Sequence, residues 1–128
     1  MVEPRISLVI LAVEDRSLAT TFYREAFGWP LAVDTAAYAE FALPGGVRLG
    51  IYDRRGFGKN IGQQPRPTGG VTCTELYLYV DDIDAASVRV VRAGGRRLDP
   101  SRARDWGDVV AYFSDPDGNV VALARPLS

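Results

Sequence analysis

The chain has 128 residues, 47% of them apolar and 24% charged, with a net charge of −1. That length and balance describe one folded domain with a real core, and they exclude disorder, a nucleic-acid footprint and a basic membrane-surface patch. There is no histidine, which removes the commonest metal ligand and the commonest general base from any mechanism.

The longest apolar run, Leu8–Val13, is too short to span a bilayer, and MVEPRIS shows no basic region leading into a long apolar stretch. The single cysteine, Cys73, makes no internal disulfide and reads as inert, so a reducing, cytoplasmic location is expected. Arg5–Val13 reads as a strand apolar on both sides, hence covered on both. Asp15 or Ser17 then caps a helix over Leu18–Phe27, in which Leu18, Phe22 and Ala26 recur on one face and Gly28 is the stop. Trp29–Asp34 reads as a weak strand. Tyr38–Tyr52 is a hairpin about Pro44-Gly45-Gly46, because Pro pre-sets φ and Gly supplies a positive φ. Asp53–Cys73, rich in Gly, Pro, Arg and Gln, reads as a long connection without periodicity. It is either a plain linker or a flap carrying Phe57 and Arg54 or Arg55 over a site.

The second half repeats the plan. Thr74–Val80 alternates Glu75/Tyr77/Tyr79 with Leu76/Leu78/Val80, and Asp84–Ala93 reads as a helix preceded by capping aspartates and ended by Gly94-Gly95. Arg96–Asp99 reads as a short strand and Pro100–Asp105 as a polar loop, with Arg96, Arg97, Arg102 and Arg104 on a solvated surface. Val109–Phe113 and Asn119–Ala124 flank the turn Asp115-Pro116-Asp117-Gly118 as a second hairpin. Leu8, Asp15 and Gly28 match Glu75, Asp82 and Gly95 at one offset; Phe41, Pro44 and Gly46 match Phe113, Pro116 and Gly118 at another. A βαβββ unit and its copy follow. The class is α+β: one domain over 1–128, with a first module at 5–53, a connecting loop at 54–73 and a second module at 74–125. The modules are expected to form a curved mixed sheet with one face on the helices and the other a concave cavity.

LVILAVEDRSLATTFYREAFGW, ELYLYVDDIDAA and WGDVVAYFSDPDGNVVALA together resemble the vicinal oxygen chelate superfamily, the glyoxalase, bleomycin-resistance and extradiol-dioxygenase group. The resemblance implies metal-ligand places on the first and last strand of each module, falling here at Leu8, Gly50, Glu75 and Ala122. Only Glu75 offers a lone pair, and one carboxylate does not hold a divalent ion against water. No metal and no cofactor are therefore expected. If those places face the cavity, so do their i±2 neighbours, which puts Arg48, Tyr52, Tyr77 and Tyr79 there as well. Phe57, Trp106 and Trp29 are placed to close the cleft, though Trp29 and Phe113 read more simply as core. The three tyrosines divide between pocket and dimer interface, and Glu75 is also readable as a structural partner of Arg48.

Two functions follow. One is a metal-independent protein that binds or sequesters an aromatic or antibiotic-like compound through Leu8, Arg48, Tyr52, Phe57, Tyr77, Tyr79, Trp106 and Ala122, as in antibiotic resistance. The other is an isomerase- or lyase-like enzyme with Glu75 as general base, desolvated beside Tyr77 and Leu8, and Arg48 or a tyrosine holding an oxyanion. The expected partners are a small organic ligand and, from the resemblance, a second copy in a homodimer; nucleic acid and membrane are not.

Overall fold

The computed structural model describes residues 3–67 and 69–128. Strand β1 (Leu8–Val13) runs into helix α1 (Arg16–Phe27), and β2 (Leu31–Asp34), β3 (Tyr38–Ala42) and β4 (Arg48–Asp53) complete a first unit. Helix α2 (Arg54–Ile61) precedes the second unit: β5 (Glu75–Tyr79), α3 (Ile83–Arg92), β6 (Arg96–Ala103), β7 (Asp108–Ser114) and β8 (Val120–Pro126). The class is α+β, with one four-stranded mixed sheet per unit, ordered β1-β4-β3-β2 and β5-β8-β7-β6. The copying reaches the register. β1 lies parallel to β4 with Leu8 opposite Arg48 and Ile10 opposite Gly50; β5 lies parallel to β8 with Glu75 opposite Val120 and Tyr77 opposite Ala122.

Local chemistry explains the element ends. Asp15 accepts from the Leu18 N–H and Asp82 from the Ala85 N–H, each at 3.0 Å, so the duplicated aspartates start both long helices. Gly28 ends α1 at φ 68°, and Gly46 and Gly118 close the two hairpins at φ 95° and 89°. Strand parity then sorts the faces. Leu11, Val13, Leu49 and Ile51 from the first sheet, and Val121 and Leu123 from the second, are buried in one core with Phe22 and Ala26 of α1 and Ile83 and Val90 of α3. Each Val, Leu, Ile or Phe among them contributes about 1.5–3 kcal/mol by burial.

One polar bond crosses this core. Tyr23 on α1 is fully buried and donates its hydroxyl to Asp115 Oδ2 at 2.6 Å. Asp115 also accepts from the Asp117 and Asn119 amides at Oδ1 and from Asn119 Nδ2 at Oδ2, so the turn that closes the second hairpin is tied to the first unit's helix. Burial, then the nearby Asp115 carboxylate, pushes the Tyr23 phenol well above its usual range.

Several features depart from the sequence reading: Ile6, Leu8 and Val9, expected to be covered, and Leu18, expected on the apolar face of α1, are exposed in the single chain. The stretch expected as a linker begins with a helix, α2. Gly56 and Gly58 weaken helix propensity there, but tertiary contacts hold it: Arg54 and Arg55 bond Glu14, Asn60 Nδ2 donates to the Tyr52 hydroxyl at 3.0 Å, and a Cβ on Gly56 would stand 2.8 Å from the Tyr52 ring. The polar loop expected after Asp99 is instead the continuation of β6, which carries two register shifts and tolerates Pro100 because it is an edge strand. Arg104 is not solvated. Its guanidinium lies 4.9 Å over the Tyr112 ring and bonds Asp99 Oδ2 and the Val110 carbonyl.

Candidate functional site: the outer faces of the two sheets

Each sheet buries one face on the helices and turns the other away from them. On the first sheet this outer face carries Ile10, Gly50 and Glu40 in one cross-strand row and Ala12, Tyr52 and Tyr38 in the next. Gly50 is buried, and a Cβ added to it would lie 2.5 Å from the Tyr38 hydroxyl. The missing side chain is what lets the phenol lie over Gly50 and donate to Glu40 Oε1 at 2.7 Å. Arg48 Nη1 donates to Glu40 Oε2 at 2.8 Å, and Glu40 is only 5% exposed. The bonds from Tyr38 and Arg48 hold the Glu40 carboxyl below its ordinary range, while burial and Glu40 push Tyr38 up. Tyr52 packs on Tyr38 with ring centroids 5.2 Å apart, and Phe57 of α2 meets Tyr52 edge-on at 6.2 Å.

The second sheet's outer face carries Glu75, Tyr77 and Tyr79 on β5, and Asp108, Val110 and Tyr112 on β7. Asp108 Oδ2 accepts from the hydroxyls of both Tyr77 and Tyr79, the latter at 3.1 Å, and Trp106 Nε1 donates to the Tyr77 oxygen at 3.0 Å. Burial raises Tyr77 first and the bond to Asp108 second; for Tyr79 the bond to Asp108 comes first. Burial and then Glu75 raise Tyr112.

Several expected site residues meet. Arg48, Glu75 and Tyr77 line one cleft of about 230 Å³ with Val9, Trp29 and Leu43. Tyr52 and Phe57 lie together further along the first sheet, and Tyr79 and Trp106 together around Asp108. Leu8 is exposed at the edge of its sheet. Ala122 is fully buried, so it shapes the floor between Tyr77 and Tyr112 rather than meeting a ligand. Arg48 pairs with Glu40 and not with Glu75, for which no ion pair forms among the described residues. Glu75 is also exposed, so the desolvation expected of it is absent in the single chain. The residues that sequence reasoning missed are Tyr38, Glu40 and Asp108. A glutamate at the centre of YAEFA, on the Gly50 row, was the available signal for the first pair; Asp108 carried none, because its partners are distant in sequence. A larger concavity of about 430 Å³ lies by the second hairpin turn, between Glu14, Arg96 and Asp115–Gly118. It contains no aromatic side chain.

The places where this architecture carries metal ligands do not fit a metal here. Leu8, Gly50 and Ala122 have no side-chain donor atom, the Tyr38 phenol fills the space beside Gly50, and both Glu40 oxygens are already engaged, by Tyr38 and Arg48. Among the described residues no group of three or more Cys, Asp or Glu side chains is placed to hold an ion.

Two copied βαβββ units, helices on one face and an aromatic, carboxylate-bearing outer face, define a protein of the vicinal oxygen chelate type. The chain belongs to the family described as the glyoxalase-like domain, whose model matches residues 8–124. It is 32% identical over 123 residues to CFP32 of Mycobacterium tuberculosis, a protein provisionally described as a glyoxylase; the match covers 90% of this chain and 43% of that one. The chain thus spans less than half the length of that relative. YraH of Bacillus subtilis, an uncharacterized protein, is 24% identical over 122 residues, with 91% and 94% of the two chains covered. Among solved structures, a glyoxalase-related enzyme from Fulvimarina pelagi superposes with a TM-score of 0.84 at 23% identity, covering 94% of this chain and 86% of that one. A glyoxalase/bleomycin resistance protein/dioxygenase from Nocardioides gives 0.81 at 22%, covering 100% and 87%. At those identities the likeness is one of fold. No helix among the described residues is long and apolar enough to cross a membrane.

Proposed function

We propose that this chain is a metal-independent small-molecule-binding protein of the glyoxalase/bleomycin-resistance type, which holds an aromatic or antibiotic-like compound against the tyrosine-bearing outer faces of its sheets. The observation that carries the reading is the Tyr38 phenol lying beside Gly50, where a ligand side chain would otherwise stand. An ion-gripping scaffold with donors missing at three of four places, and aromatic rings along the same faces, is suited to a flat organic molecule. The working unit in this reading is a homodimer. β1 and β5 are sheet edges with Ile6, Leu8, Tyr77 and Tyr79 exposed, and a second copy would cover them and pair one outer face with another.

Elemental analysis of the purified protein tests the first part: less than stoichiometric zinc, nickel, iron and manganese is expected, and one bound ion per chain would overturn it. Titration of a panel of aromatic antibiotics, followed by Trp29 and Trp106 fluorescence, tests the second, and silence across the panel would overturn it. Sedimentation at micromolar concentration should give the dimer; a monomer would remove that part.

The second reading is an enzyme with Glu75 as general base. What favours it is that Glu75 shares a cleft with Arg48 and Tyr77 and has no ion-pair partner among the described residues. With a substrate in hand, Glu75→Gln should abolish turnover while keeping binding; normal turnover would end this reading.

A further inference from the structure

The face around Asp108 carries a combination that the binding reading does not itself require. Asp108 is only 7% exposed, and no arginine or lysine nitrogen lies within 4.0 Å of its carboxylate among the described residues. Buried carboxylates are ordinarily paired with a cation. Here the partners are two phenols and, behind one of them, an indole. Glu75 stands on the same strand as the two tyrosines and on the same face, also without an ion-pair partner among the described residues. On the first sheet, by contrast, the buried Glu40 is neutralised by Arg48. The two outer faces therefore differ: the buried carboxylate of the first has its cation, whereas on the second Arg102 and Arg104 both engage Asp99, and Asp108 and Glu75 have no cation within 4.0 Å among the described residues.

The rings are placed to be used. Tyr77 and Tyr79 stand at 86° to each other with centroids 5.9 Å apart, so they form two walls of a corner. Trp106 and Tyr79 are 56% and 66% exposed, which is unusual for rings this large unless something covers them. The hydrogen bonds also run in one direction, from indole N–H to the Tyr77 oxygen and from both phenol O–H groups to the carboxylate. Each donor sheds positive charge toward Asp108, which leaves the π-faces more electron-rich. Electron-rich faces set at right angles, backed by an unpaired carboxylate, attract an organic cation: the faces take its methyl or methylene groups and the carboxylate its charge. An anion or a metal ion is not suited, the first by charge and the second because the tyrosines hold the carboxylate.

We infer that Tyr77, Tyr79, Trp106 and Asp108 form a subsite for an organic ammonium group, and that the compound held against this outer face is a small organic cation. This rests on the binding reading above, since it names the ligand class of that site.

The test uses choline and its uncharged isostere 3,3-dimethylbutan-1-ol, with 2-naphthol as a neutral aromatic probe, each titrated by calorimetry and by tryptophan fluorescence. Choline should bind about ten-fold or more tightly than the isostere, the discrimination expected of a cation–π site backed by a charge. Asp108→Asn keeps an oxygen for both phenols but removes the charge, and should weaken choline about ten-fold while leaving 2-naphthol unchanged. Trp106→Ala, at an exposed position, should weaken choline without altering the melting temperature. Equal affinity for choline and its isostere, or unchanged choline affinity in Asp108→Asn, would overturn the inference. Binding of 2-naphthol without choline would overturn the cation class and leave the binding cleft standing. Binding of neither would remove both.

Discussion

Tyr23→Phe probes how the two units are held together. The substitution keeps the ring, and with it the packing against Phe22 at 4.9 Å and Trp29 at 6.4 Å, and removes only the hydroxyl that reaches Asp115. A buried hydrogen bond to a carboxylate contributes about 1.5–3 kcal/mol. Asp115 Oδ2 still accepts from Asn119 Nδ2 at 3.0 Å, so it is not orphaned, and a loss of about 2 kcal/mol follows. With about 2.1 cal/mol/K of unfolding entropy per residue, 128 residues shift about 4 °C per kcal/mol, so the melting temperature should fall by about 7 °C. The pH dependence has a definite sign. Burial raises the folded phenol above its unfolded value, so its contribution is complete below pH about 10 and drains as pH rises further, because the unfolded phenol ionises first. Circular-dichroism melts from pH 7 to 11 should show the gap between wild type and Tyr23→Phe narrowing at the alkaline end. A gap under about 1 °C at pH 7, or one that widens with pH, would refute the reasoning.

Other substitutions test neighbouring parts of the argument. Gly50→Ala drives a methyl against the Tyr38 hydroxyl and Ile10, and should cost about 1–3 kcal/mol by overpacking; an unchanged melt would mean that the phenol does not occupy that space. Asp117 has a raised carboxyl, first through burial and then, among its charged neighbours, through Asp115 and Glu14; Asp117→Asn keeps the acceptor for the Glu14 amide and should raise the melting temperature at pH 7. That advantage should fade as pH falls through the carboxylate range, since the wild-type group is then protonated; an advantage independent of pH would contradict it. Asp82→Ala removes the cap of α3 and should cost about 1 kcal/mol in a urea melt, with Asp82→Asn largely restoring it; failure of the rescue would remove the capping role.

The local parts of this structure were written in the chain. Asp15 and Asp82 cap their helices because a carboxylate three residues before an amide reaches it without help from elsewhere. The hairpins at Gly46 and Gly118 likewise follow from which residues accept a positive φ. The alternation of Glu75, Tyr77 and Tyr79 with Leu76 and Leu78 assigned faces because side-chain direction in a strand has period two. The failures share one cause. α2 and the far half of β6 lack intrinsic propensity and exist through partners outside their own segments: Glu14 and Tyr52 for the one, β7 for the other.

The site divides in the same way. Once the resemblance had placed the four ligand positions, residue types showed that three of them hold no donor, since the side chains of Leu, Gly and Ala have none in any conformation. Which carboxylate Arg48 meets, what fills the space at Gly50, and that Asp108 gathers two phenols were decided only when the strands came into register. A hydrogen bond depends on where two backbones lie to within an ångström. That distance is a property of the packed sheets, and no short stretch of sequence contains it.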